Sequence, residues 1–182
     1  MKVYRLTAEK FKDDLSGKGA AIYGGRWNPV SLAMLYTSES RALANLEMLV
    51  HITPGVVPLR YYILEIEIPE MVPLYEITEK QLPKDWRKME HFTQLIGYNA
   101  FKHQKYLGVK VPSASVIHEC NYLMNPAHPE FHLVKITSAE PYTFDDRLFD
   151  STVRVERKLI DRPSTKEELE NYNYDDFGNV LS

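Results

Sequence analysis

Apolar positions along the 182-residue chain switch between a two-residue and a helical period, and this switching predicts its elements. Residues 3–6 read as a short strand. Residues 33–37 form an apolar run suited to a buried strand. Ala42, Leu43, Leu46, Leu49 and Val50 then recur at helical spacing, giving a helix whose apolar stripe centres near Leu46. Ser38-Glu39-Ser40 offers N-cap oxygens and a carboxylate to its positive end, and Pro54-Gly55 marks a stop. Residues 60–68 alternate cleanly, with Leu64, Ile66 and Ile68 on one face and Glu65 and Glu67 on the other. Residues 93–106 form a predicted helix with Leu95, Ile96, Ala100 and Phe101 as its apolar face, ended by Gly108. Strands are expected over 109–114 and 131–137. Residues 16–21 carry loop chemistry, Gly24-Gly25 makes a tight turn, and Asn125-Pro126-Ala127-His128-Pro129 makes a rigid one.

The pattern changes after about residue 148. Residues 161–182 hold Asp161, Glu167, Glu168, Glu170, Asp175 and Asp176 against Arg162 and Lys166. The expected organisation is therefore a domain over 1–150 followed by an acidic extension over 151–182, part helix (capped by Ser164 or Thr165) and part flexible. A hydrophobic content of 44%, a charged content of 26% and a formal charge of -3 describe an ordinary globular chain without the basic field of a nonspecific nucleic-acid binder. The N-terminus lacks the apolar core of a signal peptide, and no stretch reaches the ~20 apolar residues of a membrane span. A cytoplasmic setting is the expectation. The single Cys120 excludes an intrachain disulfide and a cysteine zinc site, and reads as a buried, inert thiol.

The candidate chemistry lies early in the chain. Arg26, in Gly24-Gly25-Arg26-Trp27-Asn28, can grip phosphate through paired hydrogen bonds, with glycines that let backbone N–H groups approach. Tyr36 follows ten residues later on a strand. Glu47 follows on a helix, at the edge of the apolar stripe between Leu43 and Val50. Each has a plainer reading when taken alone: a surface arginine stacked on Trp27, a core tyrosine with a bonded hydroxyl, a boundary glutamate paired to a base. Ser113, after Pro112, reads alone as a turn serine. The six histidines show no HExxH or paired-ligand spacing, so no metal is expected. A Ser113–His118–acid triad lacks a nucleophile-elbow motif. No phosphate-loop or dinucleotide-fold glycine pattern occurs.

Taken in order, these segments resemble the RES domain, a bacterial toxin family named for an arginine, a glutamate and a serine. The likeness runs through Val3-Tyr4-Arg5-Leu6, Gly24-Gly25-Arg26-Trp27-Asn28, Leu35-Tyr36-Thr37-Ser38-Glu39-Ser40 and Leu46-Glu47. It continues through Leu82-Pro83-Lys84-Asp85-Trp86, Ile96-Gly97, Val111-Pro112-Ser113-Ala114, Asn121, Asn125-Pro126-Ala127-His128-Pro129 and Phe144-Asp145-Asp146-Arg147-Leu148. The resemblance implies an α+β fold: one compact domain like the ADP-ribosyltransferase toxins, a mixed sheet with helices around an NAD-sized cleft. It also implies a toxin whose substrate is NAD, neutralised by an Xre-type helix-turn-helix antitoxin that covers the cleft, and it leaves dimerisation open. The family's name-giving residues fall on Arg26, Glu47 and Ser113, with Tyr36 as aromatic partner. On that match, Glu47 would stabilise positive charge at the ribose, Arg26 would hold the diphosphate and Tyr36 would pack on nicotinamide or ribose. Ser113 would bond the ribose or orient Glu47, and Arg5 is a second candidate for a phosphate. The expected reaction cleaves the nicotinamide–ribose bond by hydrolysis or phosphorolysis, with ADP-ribosylation of a protein as the alternative.

Overall fold

The computed structural model describes residues 1–52, 60–72 and 74–149. Its strands and helices are, in chain order, β1 (Lys2–Ala8), α1 (Lys18–Tyr23), β2 (Leu35–Ser38), α2 (Arg41–Leu49), β3 (Tyr61–Glu67), β4 (Tyr75–Glu76), α3 (Glu90–Phe101), β5 (Gly108–Pro112), β6 (Cys120–Met124) and β7 (Lys135–Tyr142). The strands form one mixed sheet in the order β4-β5-β6-β2-β1-β3-β7, antiparallel except for the β4–β5 pair. The fold is α+β, as the resemblance implies. The chain falls into two units: residues 1–52 with 58–143, and residues 53–57 with 144–182. In the second, residues 146–148 make a 3-10 turn, Arg147 pairs with Asp145, and the Phe144 and Phe149 rings meet edge to face. The proposed C-terminal helix and acidic extension lie outside the described residues, as does the Pro54-Gly55 stop.

Alternation along the strands divides the core into two clusters. Val3, Leu35, Leu64, Ile66, Tyr122 and Met124 meet in one. Trp27, Met34, Trp86, Val109, Val111 and Leu123 meet in the other. In β6, Leu123 joins one cluster while its neighbours Tyr122 and Met124 join the other, because successive side chains point to opposite faces. β6 is buried along almost its whole length. A strand covered on both sides carries no polar alternation, so its sequence pattern does not announce it.

Several expectations need correction. Of residues 16–21, expected as loop, all but the first two belong to α1, where Ala20 and Ala21 favour helix. The inward stripe of α2 does not centre near Leu46, which is 44% exposed, as Val50 is 63% exposed. The buried residues are Leu43 and Ala44. At ~100° per residue Glu47 projects between those two, so it stands in the middle of the inward face and not at its edge. Ser40 is the N-cap, accepting from Leu43 N at 3.0 Å, while Glu39 accepts from Cys120 N at 2.9 Å instead of serving the helix end. Helix α3 starts earlier and ends sooner than its apolar pattern suggested. Its buried face is Thr93, Gly97 and Phe101, whereas Leu95 is 52% exposed. Gly108 opens β5 and does not close α3. Residues 131–133 lie in a 3-10 turn, and the strand there begins at Lys135. Cys120 is half-buried, not buried, and desolvation raises its thiol pKa.

Two glycines mark close approaches. A Cβ on Gly97 would lie 1.8 Å from Trp27 O, so only glycine lets α3 pack against the backbone of the segment that carries Arg26. A Cβ on Gly25 would lie 2.7 Å from the Tyr36 hydroxyl and 2.8 Å from Asn28 Oδ1.

Candidate functional site

Strands β1 and β2 pair at a single position, Tyr4 opposite Ser38, and then separate. Arg5, Leu6 and Thr7 on one strand and Tyr36 and Thr37 on the other thereby line a cavity of about 960 Å³. That is at the upper end of the ~300–1,000 Å³ found for small-molecule sites. An opening between two strands of one sheet exposes backbone and side chains from both, so polar groups can converge there without an interruption of either core.

One wall is the turn that carries Arg26. Gly25 and Asn28 exchange backbone hydrogen bonds, N to O at 2.9 and 3.3 Å. The Tyr36 hydroxyl accepts from Trp27 N at 3.0 Å and donates to Asn28 Oδ1 at 2.7 Å. Asn28 is fully buried, and its Nδ2 donates to the carbonyls of Ala20, Pro29 and Leu32. Burial pushes the Tyr36 phenol well above its ordinary pKa, which keeps the proton it donates to Asn28. Helix α3 grips the same turn from outside: Thr93 Oγ1 donates to Arg26 O, and Gln94 Nε2 donates to Gly25 O at 3.0 Å. The Arg26 guanidinium gives one hydrogen bond, from Nη1 to Arg87 O at 2.8 Å. Its remaining N–H groups have no acceptor among the described residues, so the group is oriented and still able to bind.

A second wall is built around Glu47. Its Oε1 accepts from Ser113 Oγ at 2.7 Å and from Asn121 Nδ2 at 2.6 Å, and its Oε2 accepts from Ser115 Oγ at 3.0 Å. A carboxylate has about four lone-pair sites. Three are engaged, and the fourth is on Oε2. Ser113 is fully buried and its oxygen also accepts from Ser115 N and Val116 N, each at 3.0 Å. The hydroxyl therefore has its donor and its acceptor sites in use within the protein. Ser113 stands behind Glu47 and is not among the cavity-lining residues, while Glu47, Ser115, Asn121 and Ser38 are.

The third feature is Arg5 on β1. The residue lines the cavity, and its guanidinium makes no hydrogen bond or ion pair among the described residues and has its pKa lowered chiefly by desolvation, with only Asp14 acting in the other sense. A desolvated cation without an acceptor is costly, and an anion entering the cavity would relieve that cost. Among the described residues no three His, Cys, Asp or Glu side chains gather as a metal would require, and no helix is long and apolar enough to cross a membrane.

Arg5, Arg26, Tyr36 and Glu47 thus share one cavity, with Ser113 one layer behind. No local pattern in the sequence brings Asn121, Ser38, Ser115, Thr93 or Gln94 to this site. Asn121 was legible only as part of a motif, because the strand that carries it escaped notice. Ser38 read as a helix cap, an arrangement that Ser40 provides.

Comparison with known proteins agrees with the fold. The family model described as the RES domain matches residues 2–145. A relative from Sphingobium sp., named "Prs ADP-ribosylating toxin", is 40% identical over 140 residues, covering 75% of this chain and 87% of that protein. "Toxin Res" of Photorhabdus laumondii is 37% identical over 136 residues, covering 72% and 86%, and "Toxin Res" of Yersinia enterocolitica is 33% identical over 153, covering 81% and 99%. A chain in the crystal structure of the M. tuberculosis MbcT–MbcA toxin–antitoxin complex has the same fold, with a TM-score of 0.58 at 23% identity over 78% of this chain and 84% of that one. With the family model spanning nearly the whole described region and relatives of this identity matching almost end to end, the chain belongs to the RES domain family.

Proposed function

We propose that this chain is the toxin of a toxin–antitoxin pair and that it acts on NAD by breaking the nicotinamide–ribose bond. The observation that carries the reading is the Glu47 carboxylate. It is fixed by three neutral donors, has a lone pair left on Oε2, and shares its cavity with Arg5 and Arg26. A dinucleotide needs both elements: cations for its diphosphate and a carboxylate where positive charge develops.

In this reading the C–N bond between ribose and nicotinamide breaks and its electron pair leaves with the ring nitrogen, which becomes neutral. The positive charge passes to the anomeric carbon and ring oxygen of the ribose. Glu47 Oε2 accepts a hydrogen bond from a ribose hydroxyl and stabilises that charge. The departing ring needs no proton, so one carboxylate suffices where an ordinary glycosidase uses two. Arg26 and Arg5 hold the diphosphate. Tyr36 presents its ring to the cavity while its hydroxyl ties down the Arg26 turn. Ser113, with its hydroxyl fully engaged, orients Glu47 and does not bond the ribose.

The acceptor then adds to the anomeric carbon. Water would give ADP-ribose and release a proton to solvent; phosphate would give the 1″-phosphate. Transfer to a protein is the second reading, favoured by the name of the 40% identical relative, an ADP-ribosylating toxin. An Xre-type antitoxin covering the cavity would silence either activity, and the cytoplasm, where NAD is abundant, is where the chain would act. The test is purified protein with NAD, with and without phosphate, products resolved by chromatography, and mass spectrometry of added proteins for an ADP-ribosyl adduct. Glu47→Gln should lower nicotinamide release by about 10²–10³-fold, as expected for one preorganised electrostatic group. Parental turnover by a folded Glu47→Gln protein would remove the basis of the assignment.

A further inference from the structure

We infer that Asn121 is the positioning residue for the Glu47 carboxylate, and that Ser38 braces the Asn121 amide in the orientation that reaches it. The inference rests on Glu47 being the reacting carboxylate. Ser38 and Asn121 are directly opposite each other on the paired strands β2 and β6. Ser38 Oγ donates to Asn121 Oδ1 at 2.7 Å, and Asn121 Nδ2 donates to Glu47 Oε1 at 2.6 Å. Both are nearly buried, 4% and 9% exposed. An amide has a donor end and an acceptor end, and the two can exchange by a half-turn. The Glu47 carboxylate only accepts, so the NH₂ end must face it, and the oxygen end then accepts from the Ser38 hydroxyl, which braces the amide in that orientation. A reversed amide would aim its oxygen at a carboxylate oxygen and lose the hydrogen bond.

The arrangement divides labour between the two carboxylate oxygens. Oε1 is held from the strand side by Asn121 and Ser113, both supported by buried backbone. Oε2 has the exposed Ser115 hydroxyl and one remaining lone pair. Two rigid donors on Oε1 fix the plane of the carboxylate, so Oε2 projects at a constant angle into the cavity. Ser113 alone would leave the carboxylate free to turn about a single hydrogen bond. Asn121 supplies the second point of attachment, and because it sits on a sheet strand that point is as rigid as the fold provides.

The experiment compares the parent with Asn121→Ser, the near-isosteric Asn121→Asp, Ser38→Ala and the Ser38→Ala/Asn121→Ser double variant, with Glu47→Gln alongside. Nicotinamide release is followed because it is common to every acceptor, and thermal melts report folding. Asn121→Ser should lower kcat by about 10–100-fold, the scale of a misplaced reacting group, with KM within about threefold. Ser38→Ala should lower kcat by about 3–10-fold, the loss of one hydrogen bond at a distance. It should have no further effect in the Asn121→Ser background, because its only route to Glu47 is through that amide. Asn121→Asp places two carboxyl groups at hydrogen-bond distance, so they share a proton. Its rate should recover as pH rises, with a midpoint at least about one unit above the parent's. Additive losses in the double variant, parental kcat in a folded Asn121→Ser, or superposable pH profiles for Asn121→Asp and parent would each overturn the inference. If Glu47→Gln is impaired while the Asn121 variants are not, this inference alone fails. If Glu47→Gln turns over normally, the proposed reaction fails with it.

Discussion

Tyr36→Phe separates two uses of one side chain. The substitution keeps the ring that lines the cavity and removes only the hydroxyl. That hydroxyl accepts from Trp27 N and donates to Asn28 Oδ1, at 3.0 and 2.7 Å. Both partners belong to buried residues, and Asn28 is fully enclosed, so water cannot replace what is lost. Two net hydrogen bonds of ~1 kcal/mol each, together with the desolvation penalty of a stranded donor and acceptor, give a loss of about 2–4 kcal/mol. For a chain of this size one kcal/mol moves Tm by ~2–4 °C, so the variant should melt roughly 5–15 °C below the parent. Well below the melting range, kcat should fall no more than about tenfold, since the ring remains. Calorimetry and steady-state nicotinamide release measure the two quantities. An unchanged Tm with a kcat collapse beyond about 100-fold would refute this, by showing that the hydroxyl meets the substrate and is not a brace for the Arg26 turn.

Three further outcomes follow from other contacts. Gly97→Ala should destabilise by about 3 kcal/mol or more, despite a helix-propensity gain of ~1 kcal/mol, because the new methyl would meet the immobile Trp27 backbone; a calorimetric Tm equal to or above the parent's would contradict the packing. Arg5→Met should melt at or above the parental temperature while NAD affinity, titrated in a Glu47→Gln background to prevent turnover, weakens by about 10–100-fold, since the change removes an unpartnered, half-buried cation that a diphosphate would satisfy; unaltered affinity would dissociate Arg5 from the substrate. The Glu140 carboxyl, held down to about 2 chiefly by its hydrogen bonds from Arg41 and next by Ser138, should return towards its ordinary 4.5 in Arg41→Met when followed by NMR titration. Its pKa is depressed on folding, so whatever this pair adds to stability is present above about 4.5 and lost as pH falls towards 2; an unmoved midpoint in the variant would exclude the pair as the cause.

Local chemistry carried much of this protein's design. The glycine-flanked arginine, the capped helix after a short strand and the alternating residues of β3 are visible because each depends on near neighbours: φ freedom, cap oxygens and a period of two. The ordered motifs carried the family, and with it the expectation that Arg26, Tyr36 and Glu47 work together. What no local pattern could supply is the pairing of distant strands. Ser38 and Asn121 are 83 residues apart, and only the β2–β6 register makes them neighbours. Glu47 read as an edge residue because hydrophobicity locates an inward face by its apolar members, whereas here a carboxylate occupies the middle of that face, kept there by donors from the Ser113 turn and β6. Ser113 carried two readings, bonding the ribose or orienting Glu47, because sequence shows a hydroxyl and not its partners. Burial and three internal hydrogen bonds, properties of the folded sheet alone, make it a support for Glu47.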